Sequence, residues 1–258
     1  DRKSGGYLYG LMRNKDSYDE NGDGYSESVV LENSTFGFSL FHKPDSRSKI
    51  SLDGYRLSEF RRGGNMLDYL PHETDVTEMV DHLITGVNLA YDLFTHKSNK
   101  LTVFAASQGV QRDSYYGANK DPFAYGFTED LTTSVGAQYV LNSESFLNSS
   151  ATTIFGIDNN NNQIMDTKLG ANGKENTIIT NQMVNTLGSF IQQDLRYRKL
   201  NLGLGLRFDN YLVADLQHAN NDFSNMVLAP RINALYKITP SQRIRLGYAK
   251  GYRAPQVF

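Results

Sequence analysis

The sequence predicts an all-β protein, an antiparallel up-and-down transmembrane β-barrel, with about eleven strands in its 258 residues. Three observations carry that expectation. Apolar residues recur with a period of two along most of the chain. Several alternating segments run well beyond the roughly five or six residues usual for strands of soluble domains. The connections between them alternate, long then short, without exception.

Strands are expected first at 7–14 and 27–42, on either side of a long polar loop at 15–26. A short turn at 43–47 leads to a strand at 48–61. There Ile50 and Leu52 change parity relative to Tyr55 and Leu57, which predicts a bulge near Asp53-Gly54. After a long loop at 62–79, the segment 80–95 sets Leu83, Val87, Leu89, Tyr91 and Leu93 against Gly86, Asn88 and Asp92. A turn at 96–99 precedes a strand at 100–112, and a long loop at 113–123 follows it. The segment 124–142 alternates again through Leu131, Val135, Ala137, Tyr139 and Leu141. A turn at 143–147 joins it to 148–157, and the Asn-rich stretch 158–177 is expected to be loop. The strand at 178–197 turns at 198–199 into 200–213, where Leu200, Leu202, Leu204, Leu206 and Phe208 share one face. Asn201, Gly203, Gly205, Arg207 and Asp209 share the other. A loop at 214–225 precedes 226–239, whose face of Met226, Leu228, Ile232, Ala234, Tyr236 and Ile238 opposes Arg231, Asn233 and Lys237. A turn at 240–241 leads to the last strand, 242–254.

A soluble sandwich has no reason to gather every long connection at one end. An outer-membrane barrel does, because its inner turns are short and its outer loops long. In that setting the apolar face meets lipid, and the polar, glycine-rich face lines a wet lumen. Tyr197, Phe208, Tyr211, Tyr236, Tyr248 and Tyr252, near strand ends, fit interfacial girdles or cross-strand aromatic pairs. The composition agrees: 39% apolar but 12% aromatic residues suit half-wet strands better than a close-packed globule. A formal net charge of -2 gives no basic field for nucleic acid. With Cys at 0, disulfides and thiolate chemistry are excluded. No G-x-S-x-G, P-loop or H-E-x-x-H pattern occurs, and His42, His72, His82, His96 and His218 are scattered; nothing supports an enzyme. An odd strand count and an end directly after a strand imply a piece of a larger barrel.

In the last third, F-x-x-D before a short turn (Phe190 to Asp194) is followed by G-x-R-F-D (Gly205 to Asp209). Pro230-Arg231 and G-Y-R-A-P (Gly251 to Pro255) come next. Their order and spacing resemble the barrel of TonB-dependent outer-membrane receptors. The resemblance implies a barrel of roughly 22 strands, of which residues 1–258 are one part, with the plug domain and the remaining strands outside this chain. It implies residence in the bacterial outer membrane and energised uptake of a scarce, large nutrient: a ferric siderophore, haem, cobalamin or a glycan. The partners implied are membrane lipid, the receptor's own plug, TonB and the imported molecule; no cofactor is required. Two alternatives remain at this stage, a porin-like barrel and a soluble all-β calcium-binding or adhesion module.

On the lumen parity lie Asp194, Arg196, Arg207, Asp209, Arg231, Arg245 and Arg253, the candidates for facing a plug or for a network along the wall. Arg253 is expected near the outer rim, touching plug or ligand, or paired to a neighbouring carboxylate. Arg61 and Arg62 open a loop in which they could touch an anionic ligand, or stand solvated. In "DENGDGYSE", Asp19, Asn21 and Asp23 take positions 1, 3 and 5 of a calcium loop, Gly24 takes 6, the Tyr25 carbonyl 7 and Glu27 9. Position 12 is Val30, so the closing bidentate glutamate is missing. The stretch reads either as a Ca2+ clip in an outer loop or as a polar hairpin tip. "DNNNNQIMD" (Asp158 to Asp166) looks similar but lacks the glycine and is read as plain loop.

Overall fold

The computed structural model describes residues 3–95, 99–146, 149–171, 176–218 and 221–253. His96, Ala254 and Pro255 lie outside them. Eleven strands form one antiparallel sheet in sequential order. They are β1 (Ser4–Lys15), β2 (Val30–His42), β3 (Ser48–Gly64), β4 (Val76–Phe94), β5 (Lys100–Ala118), β6 (Tyr125–Phe146), β7 (Ser149–Leu169), β8 (Asn176–Tyr197), β9 (Leu200–Asp215), β10 (Phe223–Lys237) and β11 (Arg243–Ala249). Every expected strand is present. The connections keep their rhythm: 16–29, 65–75, 119–124, 170–175 and 216–222 at one end, against 43–47, 95–99, 147–148, 198–199 and 238–242 at the other.

The main departure is strand length. β5 and β7 run well past their expected ends, so most of 113–123 and 158–177 is strand and not loop. Asn and Asp have low strand propensity, yet the Asn run survives in β7 because its amides bond across strands. Asn160 donates to Ser134 (2.6 Å), Asn162 to Asp130 (2.7 Å) and Asn159 to Asn185 (3.0 Å). β11 is shorter than expected and stops at Ala249, which leaves Tyr252 and Arg253 beyond the ladder.

No bulge occurs at Asp53-Gly54; the pairing runs unbroken through Asp53↔Asn88 and Gly54↔Val87. The parity change is a swap of faces instead. Tyr55 lies on the polar face against Gly86, where an added Cβ would meet its ring at 2.4 Å. Its hydroxyl donates to Gln108 at 2.6 Å. Gly54 falls on the apolar face, where the Phe38 ring covers it. In each pair a large ring fills the space that its glycine partner leaves, so the sheet stays continuous.

Register shows how completely the two faces are sorted. On the apolar face, the row Ile191, Leu206, Pro230 crosses β8 to β10, and Leu204–Ile232–Tyr248 and Phe208–Leu228 flank it. These side chains stand about half exposed on a surface with no second layer above it, and most of the few buried residues lie at the long-loop end. An apolar face of this extent is stable only against lipid. On β1 and β7 to β11 it carries no charged residue. Among its exceptions elsewhere, Glu32, Arg62, Asp81, Asp113 and Glu129 sit toward the long-loop ends of their strands, where the wall rises out of the membrane, while Arg56 lies at the middle of β3. Phe208, Tyr236 and Tyr248 point to lipid as expected of girdle residues. Tyr211 does not: it shares the lumen face, is buried, and packs against Phe223 and Tyr252.

Candidate functional site: the lumen wall and the outer loops

Asp194, Arg196, Arg207, Asp209, Arg231 and Arg245 do share the polar face. They do not form a single network. Only Arg207 and Asp209 meet, and their third partner is Asp158 of β7, inside the stretch expected to be loop. The Arg207 guanidinium grips Asp158 with both terminal nitrogens (2.8 and 2.7 Å). Its Nε donates to Asp209 Oδ2 at 2.9 Å, and Nη2 lies 2.8 Å from Asp209 Oδ1. Asp209 is only 2% exposed.

To reach Asp158 from β9, Arg207 must cross β8, and Gly188 makes that possible. It lies in register between Asp158 and Asp209. A Cβ there would come within 2.2 Å of Arg207 Nη2 and 2.5 Å of Asp209 Oδ1. Gly188→Ala is therefore expected to push the guanidinium off Asp158 and to lower barrel stability by about 1–3 kcal/mol. In a double-mutant cycle, measured by denaturant unfolding, Asp158→Ala should then cost little more. Full additivity of the two changes would show that Gly188 is not the passage. Asp158 was detectable: Phe155 and Ile157 against Gly156 and Asp158 continue the alternation up to the Asn run.

Asp194 stands apart, accepting from Gln192 (2.9 Å) opposite Gly203. Arg253 is not in a strand, so its expected place in the β11 ladder is not realised. Arg61 and Arg62 belong to β3 and point to opposite faces, so they are not a paired anion site. Arg61 bridges to Glu59 on the lumen side (3.2 Å). Arg62 donates to the Tyr69 carbonyl (2.6 Å) and so holds the loop 65–75.

That loop is tightly built. Asn65 bonds to Asp75 and Val76, and a single 3-10 turn spans Pro71–Glu73. His72 bonds the Tyr125 hydroxyl at 2.8 Å above the fully buried Tyr115. The loop 16–29 is fastened to it: Tyr25 bridges Asn65, Ser26 N donates to the Gly64 carbonyl (2.9 Å), and Gly64 N donates to Ser26 Oγ (3.0 Å). Within 16–29, Asp19 accepts from the amides of Gly22 and Gly24, both of which have positive φ. Asp23 accepts from Tyr25 N and from the Asn21 amide, and Glu27 from Glu20 N. Asp19, Asp23 and Glu27 thus each place an oxygen within 4.8 Å of the others. Asn21 lies beside them, its amide nitrogen donating to Asp23 and its Oδ1 accepting from Asp23 N (both 3.0 Å). The Tyr18 hydroxyl is pushed above its ordinary range, first by its hydrogen bond to Glu20, then by burial and the Asp19 charge. "DNNNNQIMD" has no such geometry, being strand throughout.

A sorted two-faced sheet with long outer loops and an ion-paired polar lining defines an outer-membrane β-barrel wall. The chain belongs to the TonB dependent receptor-like, beta-barrel family, whose sequence profile matches residues 2–258. That family resides in the bacterial outer membrane and comprises transporters, not enzymes, which sets the porin and soluble alternatives aside. No curated protein sequence matches the chain. Among solved structures it is similar to Pseudomonas aeruginosa FpvA bound to heterologous pyoverdines, with TM-score 0.77 and 12% identity, over 95% of this chain and 38% of that one. It is also similar to the FrpB iron transporter of Neisseria meningitidis (TM-score 0.74, 13% identity, 100% and 43% covered). A third is the copper transporter OprC (TM-score 0.71, 13% identity, 99% and 42% covered). The chain spans less than half the length of each.

Proposed function

We propose that this chain supplies wall and outer loops to a receptor that captures a scarce, large nutrient and imports it with energy delivered through TonB to a plug in the lumen. The observation that carries the reading is the fastened pair of loops, 16–29 and 65–75. Tyr18, Tyr25 and Tyr69 stand exposed on them, beside Tyr116 and Phe123 at the strand ends. Rigid, amphipathic rings over a polar lumen suit capture of a bulky ligand at low entropic cost. The FpvA complex with an iron-loaded pyoverdine and the FrpB iron transporter favour a ferric siderophore as cargo. The test is uptake of radiolabelled ferric siderophores by cells expressing the full-length receptor. Uptake should require TonB and fall at least tenfold when 66–74 is replaced by a Gly/Ser linker. TonB-independent uptake, or none from a broad siderophore panel, would overturn the reading.

For the 19–27 loop, a calcium site of modest affinity is part of the same proposal. Among the described residues, none of Asp19, Asp23 and Glu27 is ion-paired. Each carboxylate keeps lone pairs beyond those bonded to amides. With few protein ligands, affinity should fall near the 10⁻⁴–10⁻³ M typical of roughly such extracellular sites. Millimolar calcium is expected to protect this loop from proteolysis in the wild type and not in Asp19→Ala/Asp23→Ala. Equal protection in both, or in neither, ends the metal assignment.

A further inference from the structure

One charge on the outward face stands inside the apolar band. Arg56 lies eight residues above the start of β3, a strand paired on both sides and well inside the sheet. At about 3.3 Å per residue and a tilt of about 45°, it sits roughly 19 Å up a band about 25 Å tall. Its register neighbours are Phe36 on β2 and Thr85 on β4. Arg56 is exposed, and among the described residues it has no ion-pair partner. The carboxylates of the adjoining strands on this face, Glu32 and Asp81, flank Phe60, about 13 Å further along.

Beside Arg56 the outward face is hollow. Gly109 lies across Thr85 from it, two strand spacings or about 10 Å away. A Cβ on Gly109 would meet nothing within 4 Å, and the gap opens into a recess of about 540 Å³. Leu83 and Leu131 line it together with Gln111, Glu129, Gln163 and Asn181. It climbs from the membrane rim: Gly109 is nine residues above the start of β5 and Asn181 sixteen above the end of β8, roughly 21 and 37 Å up. Its polar lining is rich in acceptors. Gln111 Nε2 donates to Glu129 (3.2 Å), which leaves Gln111 Oε1 and the other carboxylate oxygen open. Asn181 Oδ1 is shielded from solvent and accepts no hydrogen bond within the protein. Such a lining calls for hydroxyl donors, and the Glu129 charge turns a phosphate away. Arg56 has the opposite demand, since its fork takes a phosphate with two parallel bonds.

We propose that this stretch of wall, from Arg56 to the Gly109 recess, holds a phosphorylated glycolipid of the outer leaflet. Its phosphate meets Arg56, whose long side chain reaches up to headgroup level, and its sugar hydroxyls fill the recess. Val87 and Leu89, exposed below Thr85 on the same face, meet its acyl chains. Such a lipid site needs only the outer-membrane barrel and is independent of the cargo.

Native mass spectrometry of the full-length receptor in detergent tests this, with diphosphorylated lipid A, its dephosphorylated form and phosphatidylglycerol as probes. Wild type should bind diphosphorylated lipid A about tenfold or more tighter than either other lipid, as one charge-assisted contact warrants. Arg56→Gln should abolish the preference for phosphate, and Arg56→Lys should keep most of it. Gly109→Leu places an apolar side chain in the recess. It should weaken both forms of lipid A about tenfold and leave phosphatidylglycerol unmoved. The gel shift of the folded barrel checks each variant; if Arg56→Gln does not fold, the wild-type preference and Gly109→Leu decide. Equal affinity of wild type for the phosphorylated and dephosphorylated forms, or a preference that survives in Arg56→Gln, overturns the phosphate contact. Phosphatidylglycerol bound as tightly as lipid A, or lipid A binding untouched by Gly109→Leu, overturns the glycolipid and makes Arg56 an ordinary anionic-lipid contact.

Discussion

Replacing Arg207 by Ala in the full-length receptor is expected to lower the unfolding free energy of the barrel by about 3 kcal/mol, the lower end of what unpairing a buried charge costs. The lower end applies because the Arg207 side chain is 37% exposed and that of Asp158 21%, so solvent screens part of the loss. Asp209 sets the floor: it is almost wholly buried against the Arg207 guanidinium. Asp209→Asn should cost only about 1 kcal/mol, since Arg207 keeps its two-pronged hold on Asp158. The triple change Arg207→Met, Asp158→Leu, Asp209→Leu should recover most of the loss, because apolar residues of similar volume commonly replace buried ion pairs without penalty. Urea-induced unfolding from lipid vesicles, followed by the gel shift of the folded barrel, measures all three. An Arg207→Ala variant within about 0.5 kcal/mol of wild type, the range of an ordinary surface change, would mean that the triad does not stitch β7 to β9.

That triad also marks where the sequence stops being legible. Alternation alone located eleven strands, and register then confirmed the expected faces of Leu83–Leu93, Leu131–Leu141, Leu200–Phe208 and Met226–Tyr236. It worked because lipid on one side and water on the other select residues independently of sequence neighbours. It failed where the selecting environment changes. Above the membrane both faces are wet, so β7 carries Asn at 159 to 162 and loses its period while staying paired. It failed again where a cross-strand partner decides, as at Tyr55, whose inward turn depends on Gly86 thirty-one positions later. Charged residues showed the same limit. Their faces were readable from parity, but pairing was not. Arg207 finds its carboxylate two strands away through a glycine gap, while Arg231 and Arg245, with the same parity, find none on the described wall. The calcium-like stretch kept its three carboxylates together for a local reason, since each is bonded to amides within its own loop.

The assignment of lipid and lumen faces makes a second strong demand. Leu206 and Arg207 are adjacent in β9, yet one lies among Ile191, Pro230 and Tyr248 and the other in the charged triad. Leu206 stands six residues above the start of β9, roughly 14 Å up a wall whose apolar band is about 25 Å tall. Leu206→Arg therefore puts a guanidinium near the bilayer midplane, at a cost of about 2–4 kcal/mol. Its neighbour Gln192 pairs with Gly205 on the other face. Gln192→Arg adds the same group to a wet lumen, where a change of well under 1 kcal/mol is expected. Folding of each variant into vesicles of two thicknesses separates membrane effects from packing. A thinner bilayer should shrink the Leu206→Arg penalty, because the arginine then snorkels a shorter distance to water, and should leave Gln192→Arg unmoved. Equal penalties for the two, or a larger one for Gln192→Arg, would reverse the faces and with them the placement of Arg231, Arg245 and the triad in the lumen.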